Sequence, residues 1–434
     1  MGALSAEVSC APAPLGKSGG SKELWILVFA VTAASCTRAQ IGPLQESVRL
    51  SLSLTDSQVA LIQGPALAIP TVLGMLPAGV LIDRWARTRL LLAFTVVTFL
   101  GGVCTAASGG AVTMLLSRGI AGFGASALLA TALAVLADVY AADRRGRATT
   151  VLIISQMVGN AIAFGVGGHL LAFLEPAPKA WRWTALLLSG PALAALGLLT
   201  AIRNPLRTPA DLSGSPTPPS VDQSHGSPWT VIIPLFLGVA CTEMAFGATY
   251  VWGAPTFQRV FQLGPGQVGS IFGLALLISG LVGPVAGGLI ADRCQHVGGP
   301  GATILVVSGM AALALPCAFF PWVGSALGAG AMLTVFLATV QATLVIGTCV
   351  VTVIAPAHRR GLYLSALIAI GTMSALGLAP GMVSGIEETL GGSTHLSTGL
   401  TIVITFSMIL ASILFASLRP QLSASSRGRA KNVA

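Results

Sequence analysis

The 434-residue sequence has very few charged residues: Asp, Glu, Lys and Arg make up 9% of it, whereas 54% is hydrophobic. Soluble domains carry about 25% charged residues, so this composition argues against a water-soluble protein. Many apolar runs approach the ~20 residues that a helix needs to cross a bilayer. They are too long and too uniform for the ~10-residue alternating strands of a membrane barrel. Because lipid offers no partner to backbone groups, we expect helices.

The sequence also lacks any cluster of cysteines or histidines at a spacing typical of metal ligands. Its seven cysteines fall mostly inside the apolar runs, as small packing residues do. We therefore expect no cofactor and no metal. The net charge of +9 is distributed in short clusters between apolar runs. This distribution indicates membrane-orientation signals and no nucleic-acid partner.

Twelve apolar segments are predicted to be helices. The second, eighth and eleventh segments are rich in glycine and proline, which permit close helix packing and bends in lipid. The predicted segments are 24–44, 56–82, 88–108, 111–138, 148–173, 180–202, 229–253, 265–291, 301–321, 325–355, 361–384 and 396–418.

A stretch rich in Pro and Ser, residues 204–228, separates the segments into two sets of six. We interpret it as a cytoplasmic linker in a duplicated protein. The first residues have no continuous apolar core, so they are predicted to be a tail and not a cleaved signal peptide. The predicted organisation is a disordered cytoplasmic tail over 1–22, a six-helix bundle over 23–203, the linker, a second six-helix bundle over 229–418 and a cytoplasmic tail over 419–434.

The basic residues predict an orientation in the membrane. With both termini in the cytoplasm, most of the 23 Lys and Arg residues fall on cytoplasmic segments. This arrangement satisfies the positive-inside rule and requires an even number of spans. We expect a multi-pass protein of the plasma (inner) membrane with both termini cytoplasmic.

An Asp-Arg pair follows a glycine by four residues at the cytoplasmic end of the second and of the eighth segment. Gly79 and Gly288 would let a neighbouring helix approach closely. Asp83 and Asp292 would bond a helix N-terminus, where the dipole favours an anion. If such a contact forms in one state only, it biases a two-state equilibrium.

Two further basic stretches follow the fourth and tenth segments, at Asp143 to Arg147 and at His358 to Gly361. They serve as orientation charges, as partners for the Asp-Arg pairs, or as both. We call the predicted contact between the two bundles the latch. Its predicted residues are Gly79, Asp83, Arg84, Arg87, Asp143, Arg144, Gly288, Asp292 and Arg293.

These motifs resemble those of the major facilitator superfamily. The loop signature of that family runs Gly-x-Leu-x-Asp-Arg-x-Gly-Arg-Lys, and this chain matches it at Gly79, Leu81, Asp83, Arg84 and Arg87, with Ala86 and Thr88 as departures. A second family signature is similar to the stretch from Arg118 to Ala125. The resemblance implies an all-α polytopic membrane protein: twelve transmembrane helices in two pseudo-symmetric six-helix bundles. It implies a transporter and not an enzyme.

Three stretches resemble the spinster-like branch of that superfamily: LSLTDSQVALIQGPALAIP, ALAVLADVYAADRRGRATT and YVWGAPTFQRVFQLGPGQVGSIFG. Characterised members of this branch move lysophospholipids or sphingoid lipids, some of them with protons. The chain departs from the branch at two acidic positions, where it has Thr37 and Ala125. Both acids that the resemblance would assign to proton coupling are therefore missing.

Three ionisable residues fall inside predicted spans, where charge is costly and usually functional. Arg38 and Glu243 each lie about 21–23 Å from the inner face, at ~1.5 Å per residue, on segments that face each other in this fold. They form a salt bridge that substrate breaks, or Glu243 is a replacement protonation site, or both have structural roles near the outer interface. Arg118 binds a substrate anion, controls proton movement, or bonds backbone carbonyls.

Several uncharged polar residues are candidates for the cavity lining or, individually, for hydrogen bonds between helices. Tyr250 and Trp252 are interpreted as anchors at the outer membrane interface. The remaining candidates for the cavity are Gln63, Gln156, Asn160, Gln341 and Thr348.

The sequence predicts a secondary transporter in which two bundles rock around a site near the bilayer midplane. The expected substrate is a small organic solute, lipid-like or anionic, because two arginines suit an anionic group. Transport is coupled to protons if Glu243 titrates, and otherwise the protein is an uncoupled facilitator. We expect a monomer surrounded by membrane lipids. The alternative is a non-transporting sensor or scaffold of the same fold.

Overall fold

The computed structural model describes residues 20–140, 142–175, 177, 179–202, 229–355 and 359–431, and every regular element in this part is a helix. The predicted linker, His358 and most of the predicted N-terminal tail lie outside the described residues. The first half of the chain forms α1 (Gly20–Ala39), α2 (Ile41–Ser51), α3 (Asp56–Gln63), α4 (Pro65–Arg84), α5 (Arg87–Ala107), α6 (Ala111–Val139), α7 (Ala142–Leu174) and α8 (Ala180–Leu199).

The second half forms six more α-helices and three short helical turns. The helices are α9 (Trp229–Val260), α10 (Pro265–Leu313), α11 (Ala326–Ile354), α12 (Arg360–Thr372), α13 (Ala379–Thr389) and α14 (Leu396–Lys431). The turns are a 3-10 turn at Pro316–Trp322, a π turn at Met373–Leu378 and a 3-10 turn at Ser393–His395.

The described residues contain 11 helical stretches long and apolar enough to cross a membrane, and one of them, Pro265–Trp322, is 58 residues long. That stretch is interrupted at Gly299, whose φ of 64° lies in the left-handed region that glycine adopts without a Cβ penalty. Pro300 then begins the next helical segment, as proline often does. The interruption separates the predicted segments 265–291 and 301–321, so the twelve-helix, all-α fold class is confirmed.

Two predicted segments are each divided between two helices. The first segment divides between α1 and α2, and the second divides at Gly64, between α3 and α4. A Cβ at Gly64 would lie 2.4 Å from the carbonyl oxygen of Leu376, so only glycine lets the π turn approach here. The second segment is one of those whose glycine and proline content predicted bends.

The two halves make their closest backbone contact between α7 and α10. A Cβ at Gly273 would lie 2.7 Å from the backbone nitrogen of Gly165, and one at Gly269 would lie 2.9 Å from the Cα of Gly168. Small residues at such crossings let helices associate through backbone contacts in lipid. We call this contact the glycine crossing.

Apolar packing joins the halves near one face of the molecule only. We call the face where α1 begins the terminal face and the opposite one the distal face. Distal residues of the first half, including Ile41, Val59, Met114 and Phe164, belong to the same core as the second half. Residues nearer the terminal face, such as Leu27, Leu90, Val135 and Leu199, pack only within the first half. The molecule is therefore closed at its distal face.

We predict that Gly273→Val destabilises the protein by about 1–3 kcal/mol, the usual cost of overpacking. The added side chain would contact the backbone of Gly165 and Ala161, which cannot rotate away. Thermal unfolding of the purified protein in detergent measures the effect. Gly309→Val is the matched control, because a Cβ at Gly309 on the same helix meets nothing within 4 Å. Equal unfolding temperatures for the two variants would contradict the glycine crossing.

Candidate functional site

Arg118 is the centre of a buried polar chain in the first half. It lies on α6 and is 1% exposed. Its Nη2 donates a hydrogen bond to Oε1 of Gln63 at 3.2 Å, and Nε2 of Gln63 donates to Oε1 of Gln45 at 3.1 Å. The sequence predicted Arg118 and Gln63 as cavity residues and missed Gln45, whose position in α2 gave no signal of its own. The amide of Gln63 therefore fixes one edge of the guanidinium.

Much of the hydrogen-bonding capacity of this chain is unused. Nε and Nη1 of Arg118 and Nε2 of Gln45 are buried without a hydrogen-bond partner among the described residues. Five N–H donors on a guanidinium suit a carboxylate or phosphate in a two-pronged contact. The unused donors of Arg118 therefore have the chemistry that binds an anion.

Arg38 adds a second positive charge beside Arg118. It is half-buried on α1, close enough for its charge to act on Arg118 and on the hydroxyl of Tyr250. No ion pair neutralises either arginine within the part of the chain that the structure describes. The structure thus brings two of the predicted cavity charges together.

An aromatic wall from the second half and from α7 adjoins these charges. The ring of Tyr250 contacts Phe164 edge-on at 5.6 Å between centroids and stacks on Phe246 at 5.9 Å. Phe164 in turn packs on Phe272 at 4.7 Å. The interpretation of Tyr250 and Trp252 as interface anchors is wrong. Trp252 is fully buried, and its indole donates to the carbonyl of Pro380 at 3.1 Å.

Glu243 does not pair with Arg38, contrary to the pairing that their equal depth suggested. No ion pair joins Glu243 to a basic residue in the described ranges. Its Cγ would lie 3.1 Å from a Cβ at Gly371, so the side chain packs against α12 in its own half. Equal depth in the membrane does not determine how each helix is oriented about its own axis. That orientation decides which side chains meet. Glu243 remains a half-buried carboxyl of the second half.

The other predicted cavity residues are dispersed along α7 and α11. Asn160 is buried and its Oδ1 has no hydrogen-bond partner among the described residues. Gln341 reaches across the halves, with Nε2 at 3.7 Å from Sδ of Met157. Gln156 is half-buried, and Thr348 bonds its own helix at the carbonyl of Leu344.

Only part of the predicted latch lies among the described side chains. Positions Gly79 and Gly288 face open space, with nothing within 4 Å of an added Cβ, so the close approach predicted for these glycines is absent here. Arg84, Arg144, Asp292 and Arg293 are exposed. The side chains of Asp83 and Asp143 are not among those that the structure describes.

Arg87, a residue of the predicted latch, has its partners within the first half. Its Nη1 pairs with the carboxylate of Asp138 and donates to the carbonyl of Ala134 at 2.6 Å. Both partners lie on α6, within the first half. The physical reason is the packing at the terminal face, where the first half contacts only itself, so Arg87 closes α5 onto α6.

A cluster of charged residues crosses the halves at the distal face. Arg259, near the end of α9, donates from Nε and Nη2 to Oε2 of Glu46 at 3.2 and 3.0 Å. It also donates from Nη1 and Nη2 to the carboxylate of Asp56 at 3.0 and 2.6 Å. Glu46 and Asp56 belong to α2 and α3 of the first half. One guanidinium thus joins two helices of one half to a helix of the other.

Two further residues complete this group, which we call the distal ion cluster: Glu46, Arg49, Asp56, Arg259 and Glu387. Arg49 pairs with Glu46 and lies 3.8 Å from Asp56, and Glu387 on α13 lies 3.5 Å from Nη1 of Arg259. Beside the cluster, the hydroxyl of Ser57 donates to Glu388, again across the halves. The sequence treated Arg49 and Arg259 only as charges outside the cytoplasmic set, because no local pattern links positions so far apart.

The sequence comparisons give a family. The profile described as Major Facilitator Superfamily matches residues 26–382. A probable 4-methylmuconolactone transporter of Cupriavidus pinatubonensis is 31% identical over 184 residues, which are 42% of this chain and 42% of that protein. An uncharacterised MFS-type transporter of Mycobacterium tuberculosis is 28% identical over 235 residues, 53% of this chain and 31% of that protein. The chain thus matches less than half the length of these relatives.

Solved structures of transporters share the fold. A bacterial homologue of the human lysosomal transporter Spinster, inward-facing and unoccupied, superposes with a TM-score of 0.73 at 18% identity. The match covers 95% of this chain and 98% of that one. A D-xylose–proton symporter superposes with a TM-score of 0.68 at 17% identity, over 91% and 96% of the two chains.

The family profile covers most of the chain, and the described residues contain 11 helical stretches that could cross a membrane. The protein is an integral, multi-pass membrane protein and belongs to the Major Facilitator Superfamily.

Proposed function

We propose that this protein is a secondary transporter that moves a small organic anion across the membrane by rocker-switch alternating access. The observation that carries the proposal is the pair of arginines, Arg38 and Arg118, beside an aromatic wall and without a carboxylate partner among the described residues. Buried charge in a membrane protein is costly and is retained for function. A bound anion would satisfy both arginines.

The aromatic wall favours an amphipathic solute within this class. An anionic group would contact Arg118 and Arg38, while an apolar body would pack on Tyr250 and Phe164. A spinster-like solute of this kind, lipid-like and anionic, agrees with the fold of the Spinster homologue. The relative named for 4-methylmuconolactone favours a smaller organic compound.

Alternating access is supported by the uneven packing of the two faces. The halves share a core and an ion cluster at the distal face, whereas the first half packs by itself at the terminal face. With the terminal face in the cytoplasm of a plasma-membrane protein, this is an inward-facing state. Rocking would exchange the distal ion cluster for the latch, so that one contact forms as the other breaks.

Proton coupling remains the second part of the proposal. Glu243 is the half-buried carboxyl of the second half that could replace the acids missing at Thr37 and Ala125. If it does not titrate during transport, the protein is an uncoupled facilitator. One chain holds both halves, so we propose that it works as a monomer.

The first prediction concerns the anion site. A panel of lysophospholipids, sphingoid bases, sugars and organic anions is screened for thermal stabilisation of the detergent-purified protein at about pH 5.5 and about pH 7.5. An anionic ligand at about 100 times its Kd stabilises the folded state by about 2.7 kcal/mol. We expect Arg118→Gln and Arg38→Gln each to reduce or abolish this stabilisation.

Arg147→Gln is the matched control, because it removes the same charge from an exposed position. It should leave ligand stabilisation unchanged. Stabilisation by sugars alone, or an anion effect that survives both arginine substitutions, would rule out the anion site. Stabilisation by small hydrophilic anions without any amphipath would keep the site and overturn the spinster-like solute.

The second prediction concerns the latch. Asp83→Asn and Asp292→Asn should slow transport of the solute found in the screen by roughly tenfold, a barrier change of ~1.4 kcal/mol. The physical reason is that each substitution removes a charge from the state closed at the terminal face. The unfolding temperature should not change for Asp292→Asn, because Asp292 is exposed in the present state.

Uptake into proteoliposomes measures the rate, with Glu175→Gln as a control that neutralises an exposed carboxyl elsewhere. Unchanged uptake in both latch variants would show that these residues are only orientation charges.

A further inference from the structure

The distal ion cluster contains more acidic than basic groups. Its carboxylates are Glu46, Asp56 and Glu387, and its cations are Arg49 and Arg259. Glu46 and Asp56 each contact both arginines. Glu387 meets Arg259 alone, at a nitrogen that already donates to Asp56. With every group ionised, one negative charge at this place has no positive counterpart in the cluster.

Glu387 is the member for which ionisation costs most. It is 1% exposed. The exposed fraction of the side chain is 11% for Asp56, 15% for Arg259 and 23% for Arg49. Its 3.5 Å contact is the longest that Arg259 makes in the cluster, and neither of its oxygens has a hydrogen-bond partner among the described residues. A buried carboxylate without hydrogen bonds is strongly disfavoured relative to the neutral acid. A proton on Glu387 removes both the surplus charge and this cost.

Among the described residues, no further arginine or lysine pairs with Glu387. α14 over residues 396–418 and the π turn pack near α13 and contain no charged residue. Glu388, on α13 itself, is exposed and bonded to Ser57. His395 follows in the 3-10 turn, near Gly391. The charged or titratable groups around Glu387 are Asp56 from α3, Glu46 and Arg49 from α2, Arg259 from α9, Glu388 from α13 and His395 from the 3-10 turn.

Water on the distal side reaches the edge of the cluster. A cavity of about 570 Å³ opens there, and Glu46, Arg49 and Arg259 form part of its lining. Opening of the distal face would separate Arg259 from Glu46 and Asp56, because they belong to different halves. Water would then solvate Glu387, and the ionised form would become favourable.

We propose that the distal ion cluster is a proton site: Glu387 binds one proton from the distal side when that face closes and releases it to the same side when it opens. External acidity would then favour the inward-facing state. The proton is a regulator here and is not carried across the membrane, which distinguishes this site from coupling at Glu243. The inference rests on the proposed alternating access and is independent of the identity of the solute.

The test measures opening of the distal face directly. Spin labels at Leu50 and Leu390, which are 64% and 44% exposed on opposite halves, report the distance across this face in a cysteine-replaced background. Raising the pH from about 5.5 to about 8 should move the population from short to long distances. For one proton, the open-to-closed ratio changes by up to about tenfold per pH unit. Glu387→Gln, which resembles the protonated acid, should stay closed throughout.

Glu388→Gln is the matched control, because it removes the adjacent carboxyl. It should shift the overall population, since the bond to Ser57 is weakened, and keep the wild-type dependence on pH. A wild-type distance distribution that opens without any pH dependence would overturn the proposal. So would a Glu387→Gln variant that titrates like the wild type.

A second measurement needs no opening and no folded Gln variant. Infrared spectra of the wild type should show a protonated-carboxyl band at acidic pH that disappears as the pH rises. Glu387→Asp should shift this band, and Glu388→Gln should leave it in place. If the band is unchanged in Glu387→Asp, the proton assignment fails. If the band behaves as expected but no condition opens the distal face, alternating access fails and the proton site stands alone.

Discussion

The contact of one guanidinium, Arg259, with carboxylates of three other helices holds the present conformation together. Salt bridges at a water-exposed surface contribute little, but these charges are mostly buried between two halves that share few other polar contacts. Removing one partner from such a group leaves a charge without compensation. In our proposal, the state of the molecule therefore depends on the ionisation and solvation of a few side chains at the distal face.

The buried arginines of the first half show the opposite balance of charge. Arg38 and Arg118 lie together without a carboxylate among the described residues, and the glutamines beside Arg118 satisfy only part of its guanidinium. In our proposals, the arginines bind an anion and the distal ion cluster binds a proton. One site would bind an anion and the other a proton. Solute binding and external acidity could then both act on the equilibrium between the two proposed states, through different residues.

The sequence predicted the helices, the duplication and Arg118, because these follow from hydropathy, composition and local motifs. It placed Arg38 and Glu243 at equal depth but overlooked that their side chains point to different neighbours, since helix rotation depends on packing across the bundle. It missed the contacts of Arg259 with Glu46 and Asp56, which lie more than 200 positions away in the chain.

The glycine crossing has a consequence for the speed of the conformational change. Gly165, Gly168, Gly269 and Gly273 bring two helix backbones together with no side chains between them. Interlocked side chains would have to disengage and repack whenever the helices roll over each other, and each such step would add to the barrier. A contact without interlocked side chains adds little to the barrier when the helices roll over each other. We then expect the rate of exchange between the two proposed states to depend on breaking and solvating the ions at the two faces, and not on the glycine crossing.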